Sequence, residues 1–97
     1  MEVTIVWTKQ AEKGLINTIK YLEKEWTAKE ILRLEQNIQA FIERIKLQPE
    51  LYSKTSKYKY LHKGMVDDHN YIVYKTSYKD KRITIVNFRA SKQRPIY

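Results

Sequence analysis

Two amphipathic stripes at helical spacing follow one another with almost no chain between them. Ala11, Leu15, Ile19, Leu22 and Trp26 recur at three- and four-residue steps, the period that places side chains on one helix face. Ile31, Leu34, Ile38, Phe41 and Ile45 repeat the pattern. Thr8 suits the N-cap of the first helix. Thr27 opens the second, and with Glu30 it has the spacing of a capping box, in which each side chain satisfies a backbone N–H. Pro49 stops that helix near Leu47. Helices of roughly 17 and 20 residues on so short a connection must fold back antiparallel as a hairpin.

Strand patterns supply the other layer. Val3, Ile5 and Trp7 alternate with Thr4 and Val6, which reads as a short opening strand. After Pro49 the pattern changes. Residues 50–56 read as a polar loop, followed by β-rich runs at 57–62, 69–78 and 82–89. In the middle run Ile72, Tyr74 and Thr76 face one way, and Tyr71, Val73 and Lys75 the other. In the last run Ile83, Ile85 and Asn87 oppose Thr84, Val86 and Phe88. Lys63–Asp68 and Lys79–Lys81 supply the turns. The expected fold is α+β, a single domain over residues 1–97 in the order β-α-α-β-β-β. Its helical hairpin would pack on a twisted antiparallel sheet.

Charge divides at the same point. Residues 1–50 carry 8 Lys+Arg against 8 Asp+Glu, whereas residues 51–97 carry 11 against 3, which is the whole net charge of +8. A basic half beside a neutral one is the footprint of a surface for nucleic acid or another polyanion. The 42% hydrophobic content excludes disorder as the default state. Cysteine is absent, which removes disulfides and thiolate chemistry. No apolar run reaches membrane-spanning length and no signal peptide opens the chain, so a cytoplasmic protein with no membrane partner is expected. Two glycines are too few for a glycine-rich phosphate cradle.

The basic half interleaves cations with aromatics. If Lys57-Tyr58-Lys59-Tyr60 is a strand, its lysines share one face and its tyrosines the other. The tyrosines then read as core, and the lysines equally as an anion site or as charges that guard an edge strand. His62 and His69 are the only histidines and lack metal-ligand spacing. Asp67-Asp68-His69 reads as an acidic turn, and neither metal nor cofactor is expected. Two-metal nuclease chemistry needs several clustered acids. Metal-free RNA cleavage does not. There the 2′-OH attacks the adjacent phosphate, cations stabilise the growing charge, and a Lys, His or Tyr moves protons. At the C-terminus, Arg89, Lys92 and Arg94 leave the last strand, and Pro95-Ile96-Tyr97 suggest a tail that docks.

Taken in order, several of these segments resemble the RelE/ParE family, the toxins of type II toxin–antitoxin modules. They are Val6-Trp7-Thr8 with Ala11, the hairpin ending at Leu47-x-Pro49, Asn70-Tyr71-Ile72-Val73-Tyr74, and the Ile-x-Ile strand leading to Lys92-Gln93-Arg94-Pro95. The resemblance implies a cognate antitoxin whose tail, often acidic, wraps the toxin and masks its active face, which would suit this charge. RelE-like members cleave mRNA in the ribosomal A site. Their motif has a Lys-x-Lys after the hairpin, an arginine on the next strand, a basic residue after the last strand and often a terminal tyrosine. Lys57 and Lys59 match the first element, Lys92 or Arg89 the third, and Tyr97 the fourth. The arginine is absent, its position held by Tyr71, with His62 or Lys63 as substitutes. ParE-like members instead poison DNA gyrase, and the long hairpin resembles theirs.

Three functions follow as expectations. The first is a ribosome-dependent mRNA endonuclease. Lys59 or His62 would act as base, Lys57 with Arg89 or Lys92 would stabilise phosphate, Tyr97 would assist, and Lys54, Lys63 and Arg94 would bind nucleic acid. The second is a non-enzymatic gyrase poison. The third is a small nucleic-acid-binding module without toxicity.

Overall fold

The computed structural model describes residues 2–93 and 97. Its elements are β1 (Thr4–Trp7), α1 (Lys9–Glu25), α2 (Ala28–Leu47), β2 (His62–Met65), β3 (Asn70–Ser77) and β4 (Arg82–Ala90), in the expected β-α-α-β-β-β order. The strands form one sheet in the order β1-β4-β3-β2. β3 is antiparallel to both neighbours, but β1 runs parallel to β4, with Thr4 opposite Arg82 and Trp7 opposite Ile85. The sheet is therefore mixed rather than wholly antiparallel. Alternation assigns faces to side chains and carries no information about strand direction.

The helical stripes bury as their spacing predicts. Leu34, Ile38, Phe41 and Ile45 of α2 and Ala11 of α1 pack with Ile72, Tyr74, Ile83, Ile85 and Phe88 from one sheet face. Leu15, Ile19 and Leu22 lie against this core, whereas Trp26 stands exposed at the hairpin tip. Thr8 caps α1, its hydroxyl accepting from Ala11 N–H at 3.1 Å. The box at Thr27 does not form, because the Glu30 N–H donates to the Thr27 carbonyl and needs no hydroxyl.

Two departures matter for the site. Between Val73 and Tyr74 the register with β4 shifts, since Val73 pairs with Asn87 and Tyr74 with Ile85. Val86 is the extra residue of a β-bulge, which flips the alternation beyond it. Phe88 therefore joins Ile83 and Ile85 beneath the helices, where strict alternation had put Asn87. Thr8 secures the bulge, donating its hydroxyl to the Val86 carbonyl at 2.8 Å. The second departure is that residues 57–61 are loop, and β2 begins only at His62. The Thr55 hydroxyl donates to Tyr58 O at 2.6 Å and accepts from Tyr58 N–H at 2.9 Å, which curls the segment that alternation had read as a strand.

Candidate nucleic-acid interface

The sheet face opposite the helices carries a second, smaller cluster. β3 sends Tyr71 and Val73 to this side, where they meet Leu61 from the loop, with Tyr58, Val86 and Tyr97 packed against them. Polar groups are arranged over this apolar floor. Tyr71 and Arg89 face each other across the β3–β4 ladder, and Arg89 Nε donates to the Tyr71 hydroxyl at 3.0 Å. Lys63 comes from β2, with its Nζ 4.4 Å from the centre of the Tyr71 ring. The Tyr71 ring is thus a buried post that spaces two cations, one on its face and one at its hydroxyl.

Tyr97 is pinned beside them. Its hydroxyl accepts from Asn87 Nδ2 at 3.0 Å, and Asn87 Oδ1 accepts from the Phe88 N–H at 2.9 Å. Because the Tyr97 oxygen is already an acceptor, its own proton is left to be directed elsewhere. Tyr97 thus docks on this face, and the rest of the tail expected to dock, residues 94–96, lies outside the described residues. Tyr97 also meets Tyr58 edge-on at 5.9 Å, and Lys57 Nζ lies 5.5 Å from the Tyr58 ring centre.

Not every expected site residue joins this face. His62 lies on the helix side of β2 and is 3% exposed. It stacks on Tyr74 with 5.0 Å between ring centres, its Nδ1 is 2.8 Å from the Tyr52 carbonyl and its Nε2 is 3.1 Å from Glu50 Oε2. Buried there, His62 is turned away from the face that carries Lys63 and Arg89. Lys59 and Lys54 are exposed on the loop that precedes β2, Lys54 pairing through its backbone with His62. Lys92 is exposed in the turn after β4, where it lines a groove of about 920 Å³ between the hairpin and the sheet end. Arg94 lies outside the described residues. Asp67 is the expected turn residue, its Oδ1 accepting from His69 N–H and Asn70 N–H at 2.8 Å each. Among the described residues, no group of three or more His, Asp or Glu side chains gathers where a metal ion could be held. Nor, among them, is any helix long and apolar enough to cross a membrane.

Residues 5–95 match the family model described as the ParE toxin of the type II toxin–antitoxin system parDE. The chain belongs to the ParE toxin family. None of the curated proteins matches its sequence. Solved structures share the ParE-family fold at low identity. A YoeB/ParE toxin from Agrobacterium tumefaciens superposes with a TM-score of 0.68 at 15% identity, over 91% of this chain and 98% of that one. A conserved hypothetical protein from Helicobacter pylori gives 0.59 at 13% identity, over 95% and 98%. A chain of the E. coli DinJ–YafQ complex gives 0.52 at 14% identity, over 92% and 93%.

Within this ParE-family chain, sequence reasoning missed Asn87 and the part played by Tyr71. A signal for Asn87 was present, since an asparagine inside Ile83–Phe88 is a polar residue in an apolar run and needs a partner. The bulge hid which face it takes.

Proposed function

We propose that this chain is the growth-arresting toxin of a type II toxin–antitoxin module and acts as a metal-independent, ribosome-dependent mRNA endonuclease. The observation that carries this reading is the pair of cations, Lys63 and Arg89, spaced by Tyr71 beside the anchored hydroxyl of Tyr97. Cleavage forms a bond from the 2′-oxygen to phosphorus and breaks the bond to the 5′-oxygen. The two cations would stabilise the charge that grows on the phosphoryl oxygens. Tyr97 would give its proton to the leaving 5′-oxygen, and Lys59 would take the proton of the 2′-OH. Arg89 would stand in for the strand arginine that Tyr71 displaces, since it reaches the same row from the neighbouring strand. Lys57 and Lys54 would hold flanking phosphates. A cognate acidic antitoxin would silence the toxin by covering this face.

The test is induction without the antitoxin, followed by mapping of mRNA ends. Transcripts cut within codons are expected, and Arg89→Ala should slow cutting by about a hundredfold. Intact transcripts in arrested cells would overturn the reading.

The ParE family match favours a second reading, in which the chain binds DNA gyrase and blocks it without cutting RNA. That reading predicts lost supercoiling activity when purified gyrase is mixed with the chain. Unperturbed supercoiling would remove it.

A further inference from the structure

The loop that replaces the expected first strand of the basic half holds a chain of three aromatic rings. Tyr97 meets Tyr58 at 5.9 Å and 63°, and Tyr58 meets Tyr60 at 6.3 Å and 74°. Tyr97 and Tyr58 are half-buried on the sheet, but Tyr60 is 65% exposed. The loop is held by its own hydrogen bonds. Beyond the two made by the Thr55 hydroxyl, Thr55 N–H donates to Leu61 O at 2.8 Å and Leu61 N–H to Tyr58 O at 3.0 Å. The outer ring therefore sits on a rim whose shape is set before anything binds. Cations flank it, because Lys57 lies over Tyr58 and Lys59, which precedes Tyr60 in the chain, is exposed.

Exposed aromatic rings set among lysines are how proteins grip an unpaired strand, with bases stacked on the rings and phosphates on the cations. A duplex offers no free base face to such a rim. We propose that Tyr60, backed by Tyr58, stacks one unpaired base of a single-stranded RNA, with the neighbouring phosphate on Lys57. The loop of residues 55–61 is then a base-binding subsite that feeds the strand toward Lys63 and Arg89. This rests on the RNA-cleaving reading and adds to it a contact that holds the strand without reacting with it.

The experiment titrates the full chain, freed of any antitoxin, into a labelled single strand of 2′-O-methyl RNA and follows fluorescence anisotropy. The 2′-O-methyl group blocks cleavage, so binding is read alone. Tyr60→Ala is expected to weaken binding about tenfold, while Tyr60→Phe stays within about twofold of the parent. The same strand annealed to its complement should bind Tyr60→Ala and the parent alike. Equal single-strand affinity of Tyr60→Ala and the parent would overturn the subsite. So would a Phe variant as weak as the Ala variant, because the hydroxyl and not the ring would then be the contact. A Tyr60→Ala variant that loses only antitoxin affinity would overturn it in favour of a protein contact. Uncut mRNA in cells together with Tyr60-dependent strand binding here would sink the nuclease and leave the subsite standing, so the two failures are separable.

Discussion

Tyr74 is fully buried and its hydroxyl donates to the Pro49 carbonyl at 2.8 Å, fastening β3 to the end of α2. Burial, the largest influence, pushes this phenol from its ordinary 10 up to about 12. The folded protein therefore holds the Tyr74 proton more tightly than the unfolded chain does. The stabilisation is complete below pH 10, falls as the pH rises from there, and is spent near pH 12. Two pH units of difference correspond to about 2–3 kcal/mol. In Tyr74→Phe the Pro49 carbonyl loses its donor, which costs about 1 kcal/mol at neutral pH. The variant should, however, lose stability less steeply than the parent between pH 10 and 12. Urea unfolding midpoints across that range test this, and parallel curves for the two proteins would refute it.

At the scale of elements, Gly14 decides how closely α1 approaches the sheet. A Cβ at Gly14 would collide with the carbonyl oxygen of Phe88 on β4, which is backbone and cannot swing away. In an exposed helix interior, Gly→Ala gains about 1 kcal/mol from propensity. Here the clash should reverse the sign, and Gly14→Ala is expected to destabilise by about 1–3 kcal/mol. Thermal unfolding would show it, and a raised midpoint would disprove the close approach. This contact was hidden in the sequence, although α1 itself was plain. The helices were legible because the period of Ala11 to Leu22 and of Ile31 to Ile45 admits one geometry. β2 was misplaced because Lys57-Tyr58-Lys59-Tyr60 alternates as a strand does, while the hydrogen bonds of Thr55 that curl it are tertiary detail. The bulge at Val86 left no pattern of its own, so Asn87 and Phe88 were assigned to each other's faces. For the candidate site, charge pointed to the half of the chain from which the proposed face is built. Which of its lysines share a face depended on a register that alternation alone does not supply.

Across the whole molecule, the two layers divide the labour. The net-neutral half supplies the hairpin and β1, and the basic half supplies the three strands and the open face that carry the net charge of +8. That charge would attract an acidic antitoxin as well as RNA, and attraction alone does not separate the two. Counterion release does, because it counts the phosphates neutralised. For a single strand the slope of log affinity against log salt is about −0.7 per phosphate contact. If Lys54, Lys57, Lys63 and Arg89 each neutralise one phosphate charge, the slope for 2′-O-methyl RNA should be about −2.8. Lys63→Ala should bring it to about −2.1, whereas Lys20→Ala, exposed on α1, should leave it unchanged. Anisotropy titrations over a series of potassium chloride concentrations give these slopes directly. A flat dependence, or equal slopes for Lys63→Ala and the parent, would mean that the cations on this face serve the antitoxin alone.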